Sequence, residues 1–205
     1  RHRCRHYRPV KSGTLWVTGD PVADARINTD PLALLIGMLL DQQITIELAF
    51  MGPHRLVERL GAAVDHDLDP ATIAYFDPDE FAYLVAAKPA LHRFPASMAK
   101  RIQALCSHIL EEYEGDAAAI WRGRRSAAAI HDRLIAVPGY GDEKARILVA
   151  VLAKRFGKRP ADWQSVSEPF GDELPRSVAD MGGEAGHAAV RAWRLVQKYK
   201  GKSKT

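Results

Sequence analysis

The feature that most constrains this chain is a turn in which two of three consecutive residues are glycine, Val137-Pro138-Gly139-Tyr140-Gly141. It lies between two stretches with helical spacing of apolar residues, Ser126 to Ala136 and Asp142 to Phe156. Glycine tolerates positive φ, so the pair permits a very tight reversal from one helix into the next. With no side chains in the way, the N–H groups of Gly139, Gly141 and the following residues can converge on one cluster of oxygens. The start of the next helix adds partial positive charge, which makes the turn a potential phosphate seat. An ordinary αα-hairpin, in which glycine only ends one helix and starts another, fits the same five residues.

The rest of the chain is consistent with helices on both sides of that turn. Asp30-Pro31, Asp69-Pro70 and Asp77-Pro78 each pair a capping carboxylate with proline at the first helical position. From Asp30, the apolar positions Leu32, Leu35, Ile36, Leu39 and Leu40 predict one largely buried helix running to about Phe50, followed by a short helix from His54 to Leu60. After Phe94-Pro95, Met98, Ile102, Leu105, Ile109 and Leu110 sustain a helix through Glu112. Gly157 to Gly186 reads as loops with short helical turns, and Ala188 to Lys200 as a final helix. Sustained alternation is absent, so the expected fold class is all-α. Residues 1–29 lack a period and contain Gly13, Gly19 and Pro21, which predicts a basic arm and an irregular lead-in, with a helical domain over 30–190 and a basic tail over 191–205.

Charge is distributed unevenly. Arg1, Arg3, Arg5, Arg8 and Lys11 at one end, and Arg191, Arg194, Lys198, Lys200, Lys202 and Lys204 at the other, form two segments that each contain no acid. Taking those eleven from the 29 basic residues leaves 18 against 25 acidic, so the body is negative although the whole chain carries +4. The basic ends suit a polyanion, and they equally suit solubilising tails. Within the body, Lys144, Arg146, Lys154, Arg155, Lys158 and Arg159 form a patch free of acids, which a partner would sense more strongly than the average. No run of about 18 uncharged apolar residues occurs, and no secretory pattern follows the basic N-terminus; the expectation is a monomer in the cytoplasm, without a membrane span. With only Cys4 and Cys106, one chain cannot supply a four-cysteine metal or iron-sulfur site, and the histidines show no metal-ligand spacing, so no cofactor or metal is expected.

The hairpin, with Leu134 before it and Lys144-Ala145 after it, resembles the helix-hairpin-helix of the endonuclease III, adenine glycosylase and alkyladenine glycosylase superfamily. Leu35 through Thr45, containing Asp41-Gln42-Gln43, is similar to that superfamily's early helix, which ends in a glutamine-containing segment near DNA. Phe94 through Leu110, with Lys100 and Ile102, is similar to its helix carrying a Lys-Ala-x-x-Ile pattern. The resemblance covers roughly Asp30 to Asp162. It implies a two-lobed helical glycosylase-like fold with a cleft between lobes, and binding of double-stranded DNA with one nucleotide turned out, because a stacked base hides its glycosidic bond.

The resemblance also implies roles for particular residues. Gly139 and Gly141 would hold backbone phosphate, with Lys144 and Arg146 beside them; Lys144 is expected to face phosphate or solvent. Gln43, or Gln42, would fill the gap left by the turned-out nucleotide, its amide offering both donors and acceptors; alternatively both glutamines cap or cross-link helices. Losing a base builds positive charge on the sugar, so a carboxylate is needed close by. Asp162 stands where the resemblance implies that aspartate, although Trp163 follows it where relatives have a small polar residue, and a turn or cap role is the alternative; Asp172, Glu173 and Asp180 are substitutes. Bifunctional relatives carry a lysine nucleophile two positions after the second hairpin glycine, where this chain has Glu143. The implied function is a monofunctional DNA glycosylase without lyase activity, against a catalytically silent DNA-binding module or a helical protein-protein adaptor. Phe94, Trp121, Tyr140 and Trp163 are the aromatics available to line a base pocket.

Overall fold

A computed structural model describes residues 14–61 and 68–202. The basic arm over residues 1–13 and the last residues of the tail lie outside it. Ten α-helices and two 3-10 turns make up the described chain, in agreement with the all-α expectation. They are α1 (Pro21–Thr29), α2 (Pro31–Leu40), α3 (Ile46–Leu60), α4 (Pro70–Ala74), α5 (Pro78–Ala86), α6 (Pro95–Tyr113), α7 (Ala127–Ile135), α8 (Asp142–Phe156), α9 (Trp163–Val166) and α10 (Glu184–Lys202), with the 3-10 turns at Ala117–Ile120 and Val178–Asp180.

Local chemistry explains where the helices start. Asp30, Asp69 and Asp77 each accept two hydrogen bonds from amides of the first turn, and proline occupies the position whose N–H would have been orphaned. Asp20-Pro21 makes a fourth such start, so the expected irregular lead-in is corrected: residues 21–29 are helical, and Leu15 and Val17 before them are buried. Periodicity misses α1 because its inner face is partly polar. Asp24 is buried there and accepts from the Val17 and Thr18 amides, while Asn28 bonds both ways with the Leu15 backbone.

The single long helix expected from Asp30 to Phe50 is also corrected. α2 stops at Leu40, residues 41–45 form a break, and α3 then continues through Gly52-Pro53 to Leu60, absorbing the expected short helix. Two glycines bring α2 and α3 together. A Cβ on Gly37 would lie 2.8 Å from the Phe50 ring, and one on Gly52 would lie 2.4 Å from Leu40 Cδ1, so the crossing leaves no room for a larger residue. α2 is buried over nine of its ten residues, Leu32 to Leu40. It is the axis of a continuous apolar core running from Leu15 to Val190. Among the described residues, no helix is long and apolar enough to cross a membrane.

Candidate nucleic-acid interface

The hairpin closes with a Tyr140 N–H to Val137 carbonyl bond of 3.0 Å, and Gly139 takes φ +85°. Gly139 and Gly141 remain exposed at its tip, whereas Val137 and Tyr140 are buried beneath it. Gly141 is the N-cap of α8 and makes no side-chain hydrogen bond to the first-turn amides. The glycine pair that the sequence offers as an anion seat thus lies at the surface.

What holds the hairpin is the end of α2. The Tyr140 hydroxyl donates to the Leu35 carbonyl at 2.7 Å. The Lys144 ammonium donates to the carbonyls of Met38, Leu39 and Asp41 at 2.6, 2.9 and 3.3 Å, capping the C-terminus of α2 with a cation. A Cβ on Gly139 would lie 2.4 Å from Leu39 Cδ1, so the turn is seated tightly on the same helix end. Lys144, expected to face phosphate or solvent, is half-buried and turned toward the end of α2. Burial pushes its ammonium down to about 8, against the pull of Asp41.

Other cations of the basic patch also bond to neighbouring groups. Arg146 pairs with Asp142 at 2.8 Å and donates to the Glu168 carbonyl. Lys154 pairs with Asp180 at 2.6 Å and donates to the Asp172 carbonyl, Arg155 donates to Ala179, and Arg159 to Ala153. Arg146, Lys154 and Arg155 tie α8 to residues 168–180. The Asp142 carboxylate, at the start of α8, is taken up by Arg146 and by His131 at 3.0 Å.

Residues 41–45 carry the two glutamines, which have different settings. Gln42 is a cross-link: its amide nitrogen donates to the Leu39 carbonyl, its side-chain oxygen accepts from Arg101, and its carbonyl accepts from His92. The Phe94 N–H donates to His92 Nδ1, so Nε2 carries the proton that goes to Gln42. Gln43, by contrast, is exposed and held at φ +57°, a backbone setting that a residue with a side chain rarely adopts. Exposed Arg101 lies beside both Gln42 and the hairpin, within 4.0 Å of where a Gly139 Cβ would be. No sequence signal singled it out, since its role depends on the way α6 meets α2. Of the aromatics considered, Tyr140 and Trp121 are buried and Trp163 packs against the core, whereas Phe94 is 44% exposed with the Arg93 guanidinium 4.8 Å above its ring.

Asp41 ends α2 and is almost enclosed. Burial pushes its carboxyl above the usual range, opposed by Arg194 at 3.5 Å and by Lys144. Asp162 has a different setting. Its two oxygens accept from the Ala127 and Ala128 amides at 2.7 and 3.0 Å, and those amides hold its carboxyl below the usual range. It thus sits at the N-terminus of α7, whereas the hairpin follows the C-terminus of that nine-residue helix, roughly 13 Å away along the axis. Asp172 and Asp180 are bound to Arg176 and Lys154, and Glu173 is exposed. No group of three or more His, Cys, Asp or Glu among the described residues is placed to hold a metal ion.

No curated protein and no solved structure matches the chain. A protein-family model does, over residues 36–198, which span α2 beyond its first turn, the glutamine loop, α6, the hairpin and most of α10. By that match the chain belongs to the HhH-GPD superfamily of base excision DNA repair proteins, whose members act on DNA.

Proposed function

We propose that the chain binds duplex DNA with one nucleotide turned out of the stack and removes a damaged or mismatched base from it, as a monofunctional glycosylase. The observation that supports this reading is the joining of an exposed glycine turn to an exposed glutamine through one helix end. Tyr140 and Lys144 fasten the hairpin to α2, and α2 leads within three residues to Gln43. A backbone phosphate held by the Gly139–Gly141 amides therefore fixes where Gln43 meets the duplex. Gln43 then fills the vacated space and bonds to the orphaned partner base. The turned-out nucleotide enters a cleft between two lobes.

In the reaction the N-glycosidic bond breaks, its electron pair leaves with the base, and water adds to the sugar carbon while giving up a proton. Asp162, kept ionised by the α7 amides, is the carboxylate assigned to stabilise the sugar cation. Its distance from the hairpin along α7 favours a second reading, a silent DNA-binding module on the same fold, in which Asp162 serves as an extra cap for α7.

One experiment separates the two. Duplexes carrying an alkylated, oxidised, deaminated or mismatched base are incubated with the wild type and with Asp162→Asn, and base release and binding are both measured. Release by the wild type that vanishes in Asp162→Asn, with binding retained, supports the glycosylase; binding without release from any duplex supports the module. Borohydride yields no trapped adduct through Lys144, because its nitrogen is taken up by three carbonyls and Glu143 stands at the nucleophile position.

A further inference from the structure

α10 places a row of cations along the loop that carries Gln43. His187, Arg191, Arg194 and Lys198 recur at spacings of four, three and four residues and so share one helix face. That face meets residues 41–47. His187 bonds Glu47 at 3.0 Å, Arg191 lies 3.8 Å from the same carboxylate, and Arg194 lies 3.5 Å from Asp41. Between the face and the loop runs an open groove of about 380 Å³, lined among others by Ile44, Thr45, Arg191, Arg194 and Lys198. Its wall therefore includes the residue next to Gln43.

The helix is anchored at its near end and exposed along its far end. Val190 is buried in the core, the Trp16 ring meets His187 edge-on at 5.3 Å, and Arg176 stacks on Trp193 at 5.2 Å. From Arg194 to Lys200 every residue is exposed. The cations differ in how firmly they are held. Arg194 compensates a nearly buried carboxylate, while Arg191 keeps 70% of its side chain in solvent and shares Glu47 with His187. Lys198 is exposed on the groove rim. After Glu184, no acid occurs on the helix.

We infer that the Arg191–Lys198 face of α10 is a second backbone contact for duplex DNA, flanking the nucleotide that Gln43 replaces, with Arg191 and Lys198 neutralising phosphates and Arg194 holding the face against Asp41. This rests on the reading that Gln43 and the hairpin engage duplex DNA. Charge complementarity selects the occupant: a polyanion lying across the Gln43 loop passes the groove rim, and each phosphate neutralised releases condensed counterions. Lys144 is engaged at the end of α2 and Arg146 is shared between Asp142 and the Glu168 carbonyl, so α10 adds exposed cations beside the Gln43 loop.

Salt dependence tests it. Anisotropy titrations use the full chain with a 20-base-pair duplex, either intact or carrying one tetrahydrofuran abasic site, across roughly 50–300 mM salt. For Arg191→Gln/Lys198→Gln the plot of log K against log salt should be shallower by about 2 on both duplexes, at about 0.9 per phosphate, with a tenfold or greater loss of affinity at the lowest salt. Its thermal midpoint should match the wild type, since both side chains are exposed. Gln43→Ala should leave the slope alone and reduce only the preference for the abasic duplex. A double variant whose slope equals the wild type's overturns the α10 contact, whether or not its affinity drops, and leaves the hairpin reading standing. A wild type that binds neither duplex at 50 mM salt overturns both.

Discussion

Gln42 and Gln43 are the same residue type one peptide apart, and the backbone gives them different tasks. Gln42 is tied by its side chain to α2 and α6, so replacing it should weaken the fold: Gln42→Ala loses bonds to the Leu39 carbonyl and Arg101, a cost of about 1–2 kcal/mol in urea unfolding. Gln43 sits at φ +57° with its side chain in solvent, where glycine would be more comfortable. Gln43→Gly should therefore raise stability by about 1 kcal/mol while lowering affinity for an abasic duplex. A strained residue whose removal stabilises the fold but harms binding is kept for its ligand. If Gln43→Gly instead destabilises the protein, the strain argument fails. Sequence alone could not separate the two glutamines, since the difference arises from Arg101 and His92, which lie far along the chain.

At the scale of elements, the helix starts were legible because they are local. An aspartate two or three residues from the amides it caps needs no tertiary information, and Asp30, Asp69 and Asp77 show it. Boundaries fixed by distant groups were not legible. α2 ends at Leu40, where Lys144, about a hundred residues on, caps its carbonyls, and Arg146, Lys154 and Arg155 of α8 find their partners in residues 168–180. A run of basic residues says nothing of which carbonyl each will find. The hairpin itself was legible as a turn, and its seating on α2 is testable. Gly139→Ala would force a side chain into φ +85° and place Cβ 2.4 Å from Leu39 Cδ1. The expected loss is about 2–4 kcal/mol, combining left-handed strain with overpacking. In thermal melts Gly141→Ala, with an extended backbone and open space around its Cβ, should lose much less. Equal losses would mean that the turn is not pressed against α2.

For the whole molecule, Asp41 is the place where three separate parts of the chain meet: it ends α2, its carbonyl accepts from Lys144 of α8, and its carboxylate faces Arg194 of α10. Burial raises its carboxyl despite both cations, with Glu47 adding to the rise. The sign of the consequence follows from proton counting. Between the unfolded value, near 3.8, and the raised folded value, the native protein holds more protons than the unfolded chain, so stability falls as pH rises through that window. The stabilisation from protonated Asp41 is full below the window and gone above it. Asp41→Asn lacks this dependence, and subtracting its unfolding free energy from that of the wild type, measured in urea from pH 3.5 to 7, should give a difference that declines with pH. Arg194→Gln removes the compensating charge, pushes the carboxyl further up, and should extend the decline to higher pH. A difference that grows with pH would mean that Lys144 and Arg194 more than repay the desolvation of the carboxylate. The junction of α2, α8 and α10 would then be held by a net-favourable ion network rather than by packing around a costly charge.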